Sequence, residues 1–259
     1  MSSAGSLFVV ALLAAAPMLS GCGDEATFAS SDRLDKGLVV ILPGIEGESS
    51  ANHELRQGLL DSNIPYALVI HKWGFPIPGL GLLVNQTDSD GNRRAAESLA
   101  EHIAAYQAEH PGKPVYLVGH SGGGGVAVFT LEALAALPGA KPVEGAFLLS
   151  ASLSADYPLA TAMTMTRKGI CNIYNPDDTN TLGTGTAVFG NVDGGHGDSA
   201  GRTGIYGKYP KLYQINASRA GARGNPHFIV TKEQLVLRAA PLWLSGQPWP
   251  PKGSIADQK

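Results

Sequence analysis

Six short apolar runs recur along the chain, separated by stretches long enough to hold a helix, and this alternation limits the available folds more than any other feature. They occupy residues 38–42 (LVVIL), 66–71 (YALVIH), 115–118 (VYLV), 146–149 (AFLL), 170–174 (ICNIY) and 212–215 (LYQI). Each is apolar nearly throughout rather than alternately, the pattern of a strand buried on both faces. Between them the spacing predicts helices over residues 52–60 and 93–106. In the second, Ala95, Leu99, Ile103 and Tyr106 recur at helical spacing and leave Arg94, Glu97 and Glu101 to water. A last helix is expected to begin near Thr231, with Gln234 completing a capping box. Strands and helices alternating in this way define the α/β class, a mostly parallel central sheet with helices on both faces. The 259 residues suffice for one such domain, and no repeat or second core is visible.

The third run leads directly into Gly119-His120-Ser121-Gly122-Gly123, then Gly124, Gly125 and a helical pattern through Ala127, Val128, Leu131 and Leu134. A serine on a sharp strand-to-helix turn has a strained backbone, and glycines two before and two after it remove side chains that would clash with the neighbouring strand and helix. The Gly122 amide then falls at a helix N-terminus, where developing negative charge is favoured. An isolated G-x-S-x-G is commonly no more than a glycine-rich turn. With a strand before it and a helix after it, the motif points to a nucleophile at Ser121.

On these residues the chain from about Leu38 to Leu244 resembles the α/β-hydrolase superfamily. The resemblance implies an α/β-hydrolase fold and acyl transfer through Ser121. It implies one oxyanion donor at Gly122 and a second on the loop after the first run, Leu42-Pro43-Gly44-Ile45-Glu46-Gly47, at Ile45 or, failing that, Glu46. Pro43 stands where such loops commonly begin with histidine, and a plain Pro-Gly turn is the bland reading of the same residues. The family order of nucleophile, acid and base leaves His196 and His227 as bases. His227, in Gly224-Asn225-Pro226-His227-Phe228, follows the last strand run as the resemblance requires, whereas His196 precedes it. The acid should follow residues 170–174, where Asn175-Pro176-Asp177-Asp178 stands. In relatives reading Tyr-Ser-x-x-Asp the acid lies four residues after the tyrosine. That register marks Asp178, with Asp177 the alternative and Asp156 a third candidate, although Asn175 replaces the serine. In this scheme His227 takes the Ser121 proton and Asp178 fixes the imidazole tautomer.

Residues 73–91 and 179–210 read as long irregular loops at strand ends, where open α/β sheets bind ligands. Trp73, Phe75, Ile77, Leu80, Leu82, Leu83 and Val84 make the first unusually apolar, suited to core packing or to an acyl pocket. The second carries Asp193, His196, Asp198 and Arg202 among glycines and would shape a substrate groove or hold a cation, although no metal spacing fits it. Between Ser152 and Lys168 there is room for one short helix, so no large lid domain is expected. No H-E-x-x-H, P-loop or dinucleotide fingerprint occurs, and no cofactor or metal is expected.

The apolar run from Leu7 to Leu19 has the length of a signal-peptide core and is too short to span a bilayer comfortably. It ends in Leu19-Ser20-Gly21-Cys22, which resembles the bacterial lipobox and implies cleavage before Cys22 and a diacylglycerol on its thiol. The preceding Met1 to Ser6 contains no Lys or Arg, a departure from that pattern. The expected organisation is a signal peptide over 1–21, a polar tether over 22–36 and the α/β domain over 37–259. Such a chain is lipid-anchored in a bacterial cell envelope, on the periplasmic or surface face. A lipidated Cys22 leaves Cys171 without a disulfide partner. A net charge of −3 with 16% charged residues offers no basic surface for nucleic acid. A small neutral ester or acyl compound is the expected substrate. Two functional readings are open: an extracytoplasmic serine hydrolase of carboxylic esters, with amidase, thioesterase and acyltransferase as variations, or a binding lipoprotein that keeps the fold without catalysis.

Overall fold

The computed structural model describes residues 25–74, 80–181, 190–220 and 224–254. All six runs form strands: β1 (Leu38–Leu42), β2 (Ala67–Ile70), β3 (Val115–His120), β4 (Gly145–Leu149), β5 (Ile170–Tyr174) and β6 (Leu212–Asn216). They build one parallel sheet in the order β2-β1-β3-β4-β5-β6. The inner strands β1, β3, β4 and β5 are buried along their whole length, while the edges β2 and β6 are only partly covered. This accounts for the continuous apolar runs, because an inner strand turns every side chain into one of two cores. β3 runs two residues past its expected end because Gly119 and His120 still pair with Leu148 and Leu149.

The nine α-helices among the described residues are α1 (Glu25–Phe28), α2 (Ser31–Leu34), α3 (Ser50–Asp61), α4 (Leu80–Thr87), α5 (Ser89–Glu109), α6 (Gly122–Ala136), α7 (Ala160–Thr164), α8 (Ala200–Thr203) and α9 (Glu233–Trp243). Successive residues of β1 alternate between the two cores. Val40 and Leu42 pack with Leu99 and Ile103 of α5 and Leu131 of α6, whereas Val39 and Ile41 pack with Leu55 and Leu59 of α3 and Val236 of α9. Between Ser152 and Lys168 the only helix is the single turn of α7, so no large lid is inserted there.

Three expectations need correction. Residues 73–91 are not irregular over their described length: α4 forms, and α5 starts four residues early because the Asp88 side chain accepts the Gly91 N–H and caps it. The last helix begins at Glu233 rather than Thr231. Thr231 closes a short 3₁₀ turn, Ile229–Thr231, and its hydroxyl donates to the Phe228 carbonyl, so it caps nothing and Gln234 completes no box. The described part of the expected tether is docked on the domain. Phe28 is buried under the Arg56 guanidinium, 3.9 Å from the ring centre. Arg33 donates to the Ile64 and Tyr66 carbonyls at 2.6 and 2.9 Å, and the Tyr106 hydroxyl donates to the Leu34 carbonyl at 2.7 Å. Cys22 and the apolar run before it lie outside the described residues.

The strand order has one functional consequence. From β1 the chain crosses to β2 on one side and later returns as β3 on the other, so the loops leaving β1 and β3 diverge over the C-terminal edge of the sheet. A crevice opens at such a switch point.

Candidate active site

Ser121 follows β3 directly, with φ 52° and ψ −122°, and α6 begins at the next residue. A non-glycine residue with positive φ costs of order 1–3 kcal/mol and persists only where its surroundings hold it. Here the Ser121 N–H donates to the Leu149 carbonyl, and its own carbonyl accepts the N–H of both Ser152 and Gly124, each at 2.9 Å. Two glycines are forced by close approach. A Cβ on Gly119 would stand 2.2 Å from the Gly123 carbonyl oxygen, and one on Gly123 would stand 2.3 Å from the carbonyl oxygens of both Leu42 and Pro43. Those obstacles are backbone, which cannot rotate away. The elbow therefore brings the start of α6 against the end of β1.

Two further loops converge on this edge. After β5, Asp178 is buried; after β6, so is His227, and His227 Nδ1 lies 2.6 Å from Asp178 Oδ2 with the two side chains 3% and 2% exposed. A buried carboxylate accepting the Nδ1 proton leaves Nε2 as the basic nitrogen. Asn175 joins the loops: its Nδ2 donates to the Pro226 carbonyl at 2.9 Å, its Oδ1 accepts the Asp177 N–H and its carbonyl accepts the Asp178 N–H. The Asn225 side chain accepts the His227 N–H at 3.0 Å. Asp177 is exposed, as are His196 and Asp156. Asn175, the residue that stands where related loops have serine, caps this loop.

His120, between Gly119 and Ser121, is wholly buried and 4.9 Å from the His227 ring, centre to centre. Its Nε2 donates to the His227 carbonyl at 3.2 Å. Burial, reinforced by the neighbouring His227, pushes its pKa down to about 3, so it is neutral near pH 7.

The loop from Pro43 to Gly47 lies against the elbow, since a Cβ on Gly122 would stand 2.7 Å from Ile45 Cγ2. Its peptides are held from several sides. Trp73 Nε1 donates to the Pro43 carbonyl at 2.8 Å, Gly47 N–H to the Gly44 carbonyl at 3.0 Å and Asn85 Nδ2 to the Ile45 carbonyl at 3.0 Å. Among the described residues, the N–H groups of Ile45 and Gly122 meet no protein acceptor. Burial raises the Glu46 carboxyl above its usual range. Hydrogen bonds from its own amide, the Ser49 hydroxyl and the Gly44 amide, and the charge of His227, partly offset that rise.

Around this edge, Trp73 is buried against the Pro43–Gly47 loop, whereas Phe75 and Ile77 and the side chains of Leu80, Leu82 and Leu83 lie outside the described residues. Val84 is exposed. On α4, Gln86 donates to Ser152 Oγ at 3.1 Å and to the Gly190 carbonyl, and Asn92 of α5 donates to the Asn85 carbonyl. The acidic residues of 179–210 have local partners: Asp193 Oδ1 accepts the Ser154 N–H at 3.0 Å, and Asp198 bonds Tyr206 and Arg202. They shape this segment, and among the described residues no three His, Cys, Asp or Glu side chains gather around a common point.

No family model matches the chain, and no curated protein sequence matches it significantly. Solved structures do resemble it. Lipase B of Aspergillus fumigatus superposes over 84% of this chain with a TM-score of 0.53 at 14% identity, and this chain spans 54% of that lipase. A putative dienelactone hydrolase from Klebsiella pneumoniae covers 81% of this chain and is itself covered over 87%, at 12% identity and TM-score 0.49. The mature form of a Bacillus licheniformis lipase covers 82% and is covered over 93%, at 15% identity and TM-score 0.44. At these identities the likeness concerns the fold, which is that of the α/β-hydrolases.

Proposed function

We propose that the protein is a serine hydrolase that cleaves carboxylic esters through an acyl-enzyme on Ser121, with His227 as base and Asp178 as its orienting acid. The observation that carries this reading is the buried 2.6 Å contact between His227 Nδ1 and Asp178 Oδ2, on loops that leave the sheet beside the strained Ser121 elbow. Such a pair has no structural use that apolar side chains would not serve better, because burying two ionisable groups is costly. Asp178 holds the Nδ1 proton and so presents Nε2 to the serine.

In the first half-reaction Ser121 Oγ attacks the ester carbonyl carbon and its proton passes to His227 Nε2. The carbonyl oxygen gains the negative charge, met by the N–H groups of Gly122 and Ile45. Removal of one such donor costs roughly 10²–10³ in turnover in well-studied cases. Collapse breaks the carbon–oxygen bond to the alcohol, which leaves with the proton held by His227. Water, deprotonated by the same imidazole, then attacks the acyl-serine and releases the carboxylic acid. The Glu46 amide is the fallback for the second donor.

The sequence Leu19-Ser20-Gly21-Cys22 supports an extracytoplasmic protein anchored by a lipid on Cys22. Replacing Cys22 by Ala should move the protein from the membrane to the soluble fraction of a bacterial host. An unchanged distribution would contradict the anchor.

The catalytic reading is tested with p-nitrophenyl esters from acetate to palmitate, using residues 23–259. Hydrolysis abolished in Ser121→Ala, His227→Ala and Asp178→Asn but kept in Asp177→Asn is the expected result. A folded parent protein inactive on every ester would leave amide or thioester substrates, or a binding role, as the better account.

A further inference from the structure

Glu46, on the oxyanion-side loop, takes no part in the acyl-transfer steps, yet it lies between that loop, the start of α3 and the buried His120. Glu46 turns back over its own loop: Oε2 occupies the space beside Gly44, 2.1 Å from where a Cβ there would be, so only glycine fits under it. Oε1 lies 3.4 Å from the Ser49 hydroxyl, which donates to it at the entry to α3, and 3.9 Å from Nδ1 of His120. That nitrogen is fully buried and makes no hydrogen bond within the described protein. Because Nε2 of the same ring carries its proton toward the His227 carbonyl, Nδ1 is a bare acceptor directed at the Glu46 carboxyl.

We propose that Glu46 is a positioning residue: its carboxyl, carrying its proton, bridges the Pro43–Gly47 loop to the bare Nδ1 of the buried His120, and through His120 to the His227 backbone, and so keeps the Ile45 N–H turned toward the reacting atom. The inference rests on the serine-hydrolase reading. The loop peptides, taken one by one, support it. The carbonyls of its central peptides are held, Pro43 by Trp73, Gly44 by the Gly47 N–H and Ile45 by Asn85, and Glu46 Oε2 packs over Gly44. Loss of the Glu46 side chain empties the space over Gly44 and removes the contacts with Ser49 and His120, which lets the loop turn. A glutamine keeps the connection, since its NH₂ donates to His120 Nδ1 as the carboxyl proton does.

The test measures the second-order and saturating rates of Ser121 phosphonylation by a fluorophosphonate in the full-length protein, its Glu46→Ala and Glu46→Gln variants and Ser121→Ala. The phosphoryl oxygen draws on the same donors, and no ester substrate need be known. Expected is a 10–100-fold lower saturating rate for Glu46→Ala with half-saturation unchanged, below the roughly 10²–10³ of a removed donor because the Ile45 N–H is displaced rather than lost, and a Glu46→Gln rate within about threefold of the parent. Equal rates for parent and Glu46→Ala would overturn the positioning role while leaving the hydrolase reading intact. Equal slowing of both variants would overturn it too, by making charge rather than connection the cause. A parent no more reactive than Ser121→Ala would overturn the hydrolase reading, and this inference with it.

Discussion

Two neighbouring strands of the sheet end in the same way and are put to different use. Ser121 after β3 and Ser150 after β4 are both buried serines with positive φ, 52° and 45°. Each donates its N–H at 2.9 Å to a carbonyl on the next strand, Leu149 for Ser121 and Ile173 for Ser150. The backbone strain is therefore common to both. The difference lies in the residues immediately C-terminal to each serine. Four glycines let α6 start at once beside the end of β1, whereas Ala151, Ser152 and Leu153 continue as a connecting segment whose carbonyls take the N–H groups of Gly201, Val192 and Ala200. Ser150 Oγ is enclosed and unbonded within the described protein. A strained serine at a strand end is thus a product of the sheet's geometry, and what distinguishes Ser121, the proposed nucleophile, is the helix that begins directly after it.

The largest effect should separate the two serines. Ser121→Ala should lower ester hydrolysis on the order of 10⁴-fold or more, as loss of a nucleophile does elsewhere, and Ser150→Ala should leave it within about twofold. Comparable losses in both would mean that the shared geometry, not the site around Ser121, carries the activity. The two adjacent acids should divide as sharply: Asp178→Asn should cost roughly 10⁴-fold in kcat, because it upsets the imidazole tautomer, and Asp177→Asn, altering an exposed side chain, close to nothing.

A third strand end gives a pH prediction. His71, just after β2, donates its N–H to the Ile41 carbonyl, and burial, with some help from nearby His102, pushes its pKa down to about 4 from 6.5. Between those values the unfolded chain binds the proton and the folded one does not, so stability rises with pH through this window and is lost as pH falls from about 6.5 toward 4. Urea titrations at several pH values should show a decline there that His71→Gln reduces by ~1–3 kcal/mol. An identical pH dependence in the variant would contradict the burial argument. The smallest effect concerns strain and an unpaired hydroxyl. Ser150→Ala should raise stability by up to about 1 kcal/mol, since it removes a buried polar atom without a partner, and a fall of that size would reveal a hidden partner.

The strands were legible because each inner strand is enclosed on both faces, which writes an unbroken apolar run into residues such as Leu38 to Leu42. The elbow was legible because close backbone approaches demand glycine at 119 and 123, and the register from Tyr174 pointed to Asp178, the acid that meets His227. What escaped depends on partners far along the chain. Asn85, Gln86 and Asn92 look like loop residues, yet they bond the backbone at Ile45, Gly190 and Asn85 and support α4 and α5. Arg33 reads as a tether charge until the Ile64 and Tyr66 carbonyls are seen at its guanidinium. Glu46 was visible only as a fallback amide; its side chain matters because β1 and β3 set the loop beside His120, a proximity that local sequence does not encode.

The central claim is that Ser121, alone among the hydroxyls, is activated by His227. Peptide mapping of the folded protein after brief treatment with a fluorophosphonate tests it most directly. The predicted result is a single adduct on Ser121, absent after denaturation and absent in His227→Ala. Adducts spread over several serines, or a Ser121 that reacts equally well without His227, would contradict it.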